Sequence, residues 1–137
     1  MTTPGVGVDQ QCKADFQELK LKGKYRYITF ILNNDNTAVV VKKTSSSTSY
    51  DEFVADLPDT ECRFAVYDFK YDVEGGTRKK IVFVDWTPDT ARIKEKMQYI
   101  SAKDAFRKSL DGIQIDIRGT AYDEVSYESV LDRARRQ

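Results

Sequence analysis

The spacing of apolar positions changes period several times along the chain, and each change predicts an element. After a small, Gly- and Pro-containing start (1–8) that predicts an extended, mobile arm, Cys12, Phe16 and Leu19 fall at i, i+4, i+7 and predict a helix beginning at Asp9. KGKYRYITFIL then alternates and becomes wholly apolar over Ile28–Leu32, as expected of a strand covered on both faces. The run Asn33-Asn34-Asp35-Asn36 predicts a turn, and TAVVVKK the returning strand of a hairpin. A polar loop, TSSSTS, leads to a short helix with Tyr50, Phe53, Val54 and Leu57 on one side.

RFAVYDFKY (63–71) and KKIVFVDW (79–86) predict two further strands joined by DVEGGT. A helical region follows over 88–110, with Thr87-Pro88-Asp89 as its start signal. Ile93, Met97 and Ile100 share one face of it, and that face is expected to point at the core. The strand GIQIDIRG (112–119) comes after this crossover and is expected to pair parallel. A last helix begins near Ser126, with Tyr127, Val130, Leu131 and Ala134 as its apolar stripe. Strands interleaved with helices predict an α/β sandwich, a mixed central sheet with helices on both faces. At 137 residues without an internal repeat or long linker, a single domain is expected over 1–137.

Composition narrows the chemistry. Lys+Arg and Asp+Glu both total 22, so the net charge is zero and no nucleic acid or membrane surface is called for as the main partner. Charge-driven binding must come from local patches. The chain has no histidine, which removes the commonest acid–base catalyst and, with only two cysteines, a zinc site. Cys12 and Cys62 are expected to be buried free thiols. No 18-residue apolar run and no signal-peptide core are seen. Glu74-Gly75-Gly76-Thr77 before Arg78-Lys79-Lys80 is followed by a strand, not a helix, so it predicts a hairpin turn and not a phosphate loop. Asp68, Asp72, Asp85 and Asp116 lie in or beside separate strands with no imidazole or hydroxyl cluster nearby. No cofactor is implied.

Three cationic clusters remain. Arg92, Lys94 and Lys96 fall at the expected start of the 88–110 helix, where the helix dipole disfavours cations by roughly 0.3–1 kcal/mol each when exposed. Arg78-Lys79-Lys80 lies at a strand start, and Arg133-Arg135-Arg136 in the last helix, where the dipole favours them. Charge alone supports a binding module for an acidic surface or for phospholipid head groups.

DLPDTECRFAVYDFKY, KIVFVDWTPDTA, KMQYISAKDAFRKSLDG and EVSYESVLDRARR, in that order, together with the Gly5-Val6-Gly7-Val8 start, resemble the cofilin/actin-depolymerising-factor family over almost the whole chain. The resemblance implies the ADF-homology fold and a protein that is not an enzyme. It implies binding to actin monomers and filaments, with the ADP-bound form preferred, followed by severing and depolymerisation. The implied monomer-and-filament site maps onto Pro4, Gly5, Val6, Arg92, Lys94, Lys96 and Met97; the filament-specific site maps onto Arg78, Lys80, Asp132, Arg133 and Arg136. Phosphoinositide head groups are implied as competing regulators at Lys94, Lys96 and Lys103, and cyclase-associated protein, coronin and actin-interacting protein as further partners. A monomer in the cytoplasmic actin cytoskeleton, at cortical patches and with actin in the nucleus, is the implied setting. The alternatives are a phosphoinositide-binding module, or a relative on the same fold that binds filaments or branching complexes without disassembling filaments. The chain departs from the family's pattern at Arg92, where Pro is frequent, and at Pro4, where many relatives carry a phosphorylatable Ser; Thr2 and Thr3 are out of register for that switch. The basic nuclear-localisation run of some animal members is also missing near 20–24.

Overall fold

A computed structural model describes residues 5–136. The elements, in chain order, are β1 (Gly7–Val8), α1 (Gln10–Lys22), β2 (Tyr27–Leu32), β3 (Ala38–Ser45), α2 (Tyr50–Ala55), β4 (Arg63–Val73), β5 (Gly76–Trp86), α3 (Ile93–Ser109), β6 (Ile115–Gly119), a 3-10 turn (Tyr122–Val125) and α4 (Tyr127–Arg136). They build a six-stranded sheet in the order β1-β3-β2-β4-β5-β6. The interior pairs are antiparallel, whereas β1 joins β3 and β6 joins β5 in parallel. This is the mixed sheet with helices on both faces that the sequence predicts, and the 93–109 crossover returns β6 parallel, as expected.

Side-chain alternation assigns the two layers. Phe64, Val66, Ile81 and Phe83 point to one face, where Cys12, Phe16 and Leu19 of α1 and Tyr99, Ala102 and Phe106 of α3 close a first core. Ala65, Tyr67, Phe69, Tyr71, Val82, Val84 and Trp86 point to the other, under Phe53 of α2 and Val130 and Ala134 of α4. Strands covered on both sides must be continuously apolar, and that is why β2 and the middle of β4 and β5 lack a polar period. Cys12 and Cys62 are free and buried in the first core, and burial pushes both thiols up to about 12. As thiols they are poor nucleophiles there.

Local chemistry sets several boundaries. Gly23 ends α1 in the left-handed region, at φ 63°, where a side chain would be strained. Ser49 caps α2 by accepting the Glu52 N–H at 3.3 Å. Gly119 ends β6 in close packing: a Cβ there would lie 2.7 Å from Val125 Cγ1 and 2.9 Å from the Trp86 ring.

Within the expected arm, Gly7–Val8 form a short edge strand, with the Gly7 N–H donating to the Thr37 carbonyl at 2.8 Å, and residues 1–4 lie outside the described residues. Three expectations are corrected. Strands β4 and β5 run closer to their turn than predicted, so Arg78 joins Lys80 within β5. The 88–110 helix starts only at Ile93, because the chain first runs on beside β6: the Thr87 N–H donates to the Gly119 carbonyl at 2.9 Å and the Asp89 N–H to the Thr120 carbonyl at 3.2 Å. Finally, Ile93, Met97 and Ile100 do not face the core; they are 75%, 63% and 46% exposed. Two apolar stripes compete along α3, and the one carrying Tyr99 and Phe106 goes inward because its rings bury more area.

Candidate functional site

The late start of α3 redistributes its cations. Arg92 is the N-cap, outside the helix and without a side-chain cap. Lys96, one turn in, folds its amine back to the Asp89 carbonyl at 2.7 Å. Glu95 supplies the acid that the first turn favours, although its carboxylate reaches across to the Cys62 N–H at 3.2 Å. The electrostatic cost inferred from sequence therefore concentrates on Lys94, which projects into solvent beside exposed Arg92.

Lys94 borders an open apolar groove of about 440 Å³ lined by Val6, Leu32, Asn36, Ile93, Met97 and Ser101, among others. This surface brings together Val6, Lys94 and Met97 from the expected monomer-and-filament set. Gly5 is exposed just before Val6, and Pro4 lies outside the described residues. Sequence reasoning missed Leu32 and Asn36, which come from the β2–β3 hairpin, and Gln98 and Ser101. The last two share a helical face with Lys94 at i+4 and i+7, a spacing already present in the sequence of the predicted helix.

Three contacts fix α3 under this groove. The Leu32 N–H donates to the Tyr99 hydroxyl at 3.0 Å, the Glu95 carboxylate holds Cys62, and the Lys103 amine stands 3.6 Å from the Asp85 carboxylate. Asp85 is only 1% exposed, and neither carboxylate oxygen has a hydrogen-bond partner among the described residues. Burial pushes its carboxyl above the usual range, while Lys103 and Arg118 pull it back. Lys103 is thus held at the sheet. It also lies nine residues from Lys94, roughly 180° around the helix, so Lys94, Lys96 and Lys103 do not form one patch.

The second expected set lies on the opposite layer. Arg78 and Lys80 pair in register with Tyr71 and Phe69, so they share the face that α4 covers. The Tyr71 hydroxyl donates to the Ala134 carbonyl at 3.3 Å, which brings the end of α4 to that edge. On α4, Arg133 donates to the Asp116 carbonyl at 2.9 Å, and Arg136 pairs with Asp132 at 2.9 Å. The neighbouring Arg107 grips the Asp116 carboxylate through two bonds of 2.7 and 3.1 Å.

Two cation-bearing faces on opposite layers of a mixed sheet, one of them with an exposed apolar ridge, are features of a protein that docks onto a larger partner. Residues 5–135 match the family of cofilin/tropomyosin-type actin-binding proteins, and the chain belongs to that family. It is similar to the cofilin of Mycosarcoma maydis, 55% identical over 133 residues that cover 96% of each chain. The crystal structure of Streptomyces griseoflavus cofilin superposes with a TM-score of 0.93 at 49% identity, covering 96% of this chain and 98% of that one. That of Plasmodium berghei actin depolymerization factor 2 gives 0.83 at 28% identity, covering 97% of both. The protein is an actin-binding, depolymerising factor with the ADF-homology fold, and not an enzyme.

Proposed function

We propose that the protein docks on actin through the exposed start of α3 and the Val6 groove, and grips filaments additionally through the β5–α4 face. The observation that carries this reading is the ridge of Ile93 and Met97, which the fold leaves in solvent although Tyr99 and Phe106 of the same helix are buried. An apolar ridge rimmed by Arg92 and Lys94 suits a partner that offers a hydrophobic cleft edged with carboxylates. Gly5, Val6, Lys96 and Met97 belong to this first contact. Arg78, Lys80, Asp132, Arg133 and Arg136 belong to the second, which meets a neighbouring subunit present only in a filament. The protein severs filaments and prefers ADP-actin because it binds a twisted subunit arrangement better than the resting one, a population shift set by differential affinity.

Phosphoinositide head groups compete for Lys94 and Lys96, with Lys103 left to its contact with Asp85. Cyclase-associated protein, coronin and actin-interacting protein, the monomeric state, and a place at cortical patches and with nuclear actin complete the reading. Imaging of single filaments with added protein tests it: new ends within filaments and faster shortening are expected. Decorated filaments of unchanged length would instead favour a side-binding relative.

A further inference from the structure

The polar run TSSSTS (44–49) takes no part in either docking surface. It leaves β3 at Ser45, runs without helix or strand over 46–49 and enters α2 at Tyr50. Its later hydroxyls divide by alternation. Ser45 donates to the Glu52 carboxylate at 3.4 Å and accepts the Ser47 N–H at 3.1 Å, Ser47 accepts the Ser49 N–H at 3.2 Å, and Ser49 caps α2. Ser46 and Thr48 are exposed, and neither hydroxyl has a hydrogen-bond partner among the described residues. A protein kinase takes its substrate as an extended segment, so an uncommitted hydroxyl on irregular surface backbone is open to one.

The residues after Thr48 select the class of kinase. Asp51 and Glu52 stand three and four positions on, both exposed, and the Asp51 carboxylate has no ion pair among the described residues. No Lys or Arg occurs between Lys43 and Arg63, and Lys43 is paired with Asp56 at 2.8 Å. The charge pattern therefore suits a kinase whose substrate groove is basic. Ser46 has Ser49 in place of an acid three positions on. Presenting Asp51 requires only the first turn of α2 to open, and a six-residue helix held there by one 3.3 Å cap opens readily.

The loop also ends on the layer that carries Lys80 and α4. Tyr50 packs its ring 6.3 Å from that of Phe69 and 5.6 Å from that of Tyr127, and donates its hydroxyl to the Val125 carbonyl at 2.6 Å. Phe69 pairs in register with Lys80, and Tyr127 opens α4.

We propose that Thr48 is a phosphorylation site for an acid-directed protein kinase, and that its phosphate weakens the filament contact of the β5–α4 face; the second half rests on the docking proposed above. The kinase transfers the γ-phosphoryl group of ATP. A bond forms between Thr48 Oγ1 and phosphorus, the β–γ phosphoanhydride bond breaks, ADP leaves, and the hydroxyl proton passes to a carboxylate of the kinase. The product adds about −1.5 to −2 charges to the layer on which Arg78, Lys80, Arg133 and Arg136 meet an acidic partner. The α3 groove lies on the opposite layer, so monomer binding is spared.

The test incubates the folded full chain with casein kinase II and MgATP and locates the phosphate by tandem mass spectrometry. One phosphoryl group is expected, on Thr48, and none there from a kinase that reads basic residues. Thr48→Ala should abolish this labelling and leave filament binding as it was. Asp51→Asn with Glu52→Gln should slow labelling roughly tenfold. In cosedimentation the phosphorylated chain should bind filaments about threefold more weakly, with monomer affinity unchanged. Labelling of Ser46 or Ser49 instead, labelling only after thermal unfolding, or an undiminished rate without the two acids would overturn the site. Unchanged filament affinity of the phosphorylated chain would overturn its effect, provided that Arg78→Ala with Lys80→Ala does weaken filament binding. If that pair also has no effect, the docking reading is what fails, and Thr48 is judged by the labelling alone.

Discussion

The α3 groove and the β5–α4 face both carry cations, yet they hold them differently. Around the groove, Arg92 and Lys94 stand in solvent beside the uncovered Ile93 and Met97. On the other face, Arg133 is tied to the Asp116 carbonyl and Arg136 to Asp132. A partner at the groove gains apolar burial and fresh ion pairs together. One at the β5–α4 face must exchange existing contacts for new ones, and such exchange gives a smaller net gain. On the docking proposed above, the first surface supplies affinity and the second adds selectivity for an arrangement in which two subunits are present.

The largest effect expected is at the ridge. Ile93→Asp with Met97→Asp should lower affinity for actin monomers and filaments roughly a hundredfold, while the melting temperature stays close to wild type because both side chains are already in water. Loss of stability in that double variant would break the contrast. Lys94→Ala with Lys96→Ala should weaken both forms of binding about tenfold in a cosedimentation and monomer-titration pair. Arg78→Ala with Lys80→Ala should reduce filament binding by a few-fold, on the order of 1 kcal/mol, and spare the monomer. Equal losses for monomer and filament would merge the two surfaces into one.

The smallest effect concerns the support of α3, not its outer face. The Asp85 carboxyl is held above its usual range by burial, so its contribution to stability is present below the unfolded pKa and is lost as pH rises through the folded one. When ionised, the buried group is a liability offset only in part by Lys103. Asp85→Asn should raise stability at pH 7 by about 1 kcal/mol, and thermal melts should show that gain shrinking as the pH falls toward the ordinary carboxylate range.

Long elements with one clear apolar period were legible in the sequence, and conflicts between short-range signals were not. β2 announced itself through Ile28–Leu32, and α1 through Cys12, Phe16 and Leu19, because nothing competed with those patterns. Thr87-Pro88-Asp89 misled because the Thr87 and Asp89 amides are claimed by Gly119 at the end of β6 and by Thr120 just after it, more than thirty positions away, an interaction with no local trace. In α3 two stripes were equally apolar, and only the area buried by Tyr99 and Phe106 decided between them. The site shows the same split. Its cations could be read directly, whereas the groove walls from Leu32 and Asn36 and the tether of Lys103 depend on which segments meet in space.

The bond from the Leu32 amide to the Tyr99 hydroxyl has a consequence for what happens on contact. With the helix stapled to the sheet there, and again at Cys62 and Asp85, little freedom remains for a partner to remove, so the entropy of ordering was spent when the chain folded. A helix pinned at three points has little room to mould itself, and in the docking proposed above any misfit falls to the partner.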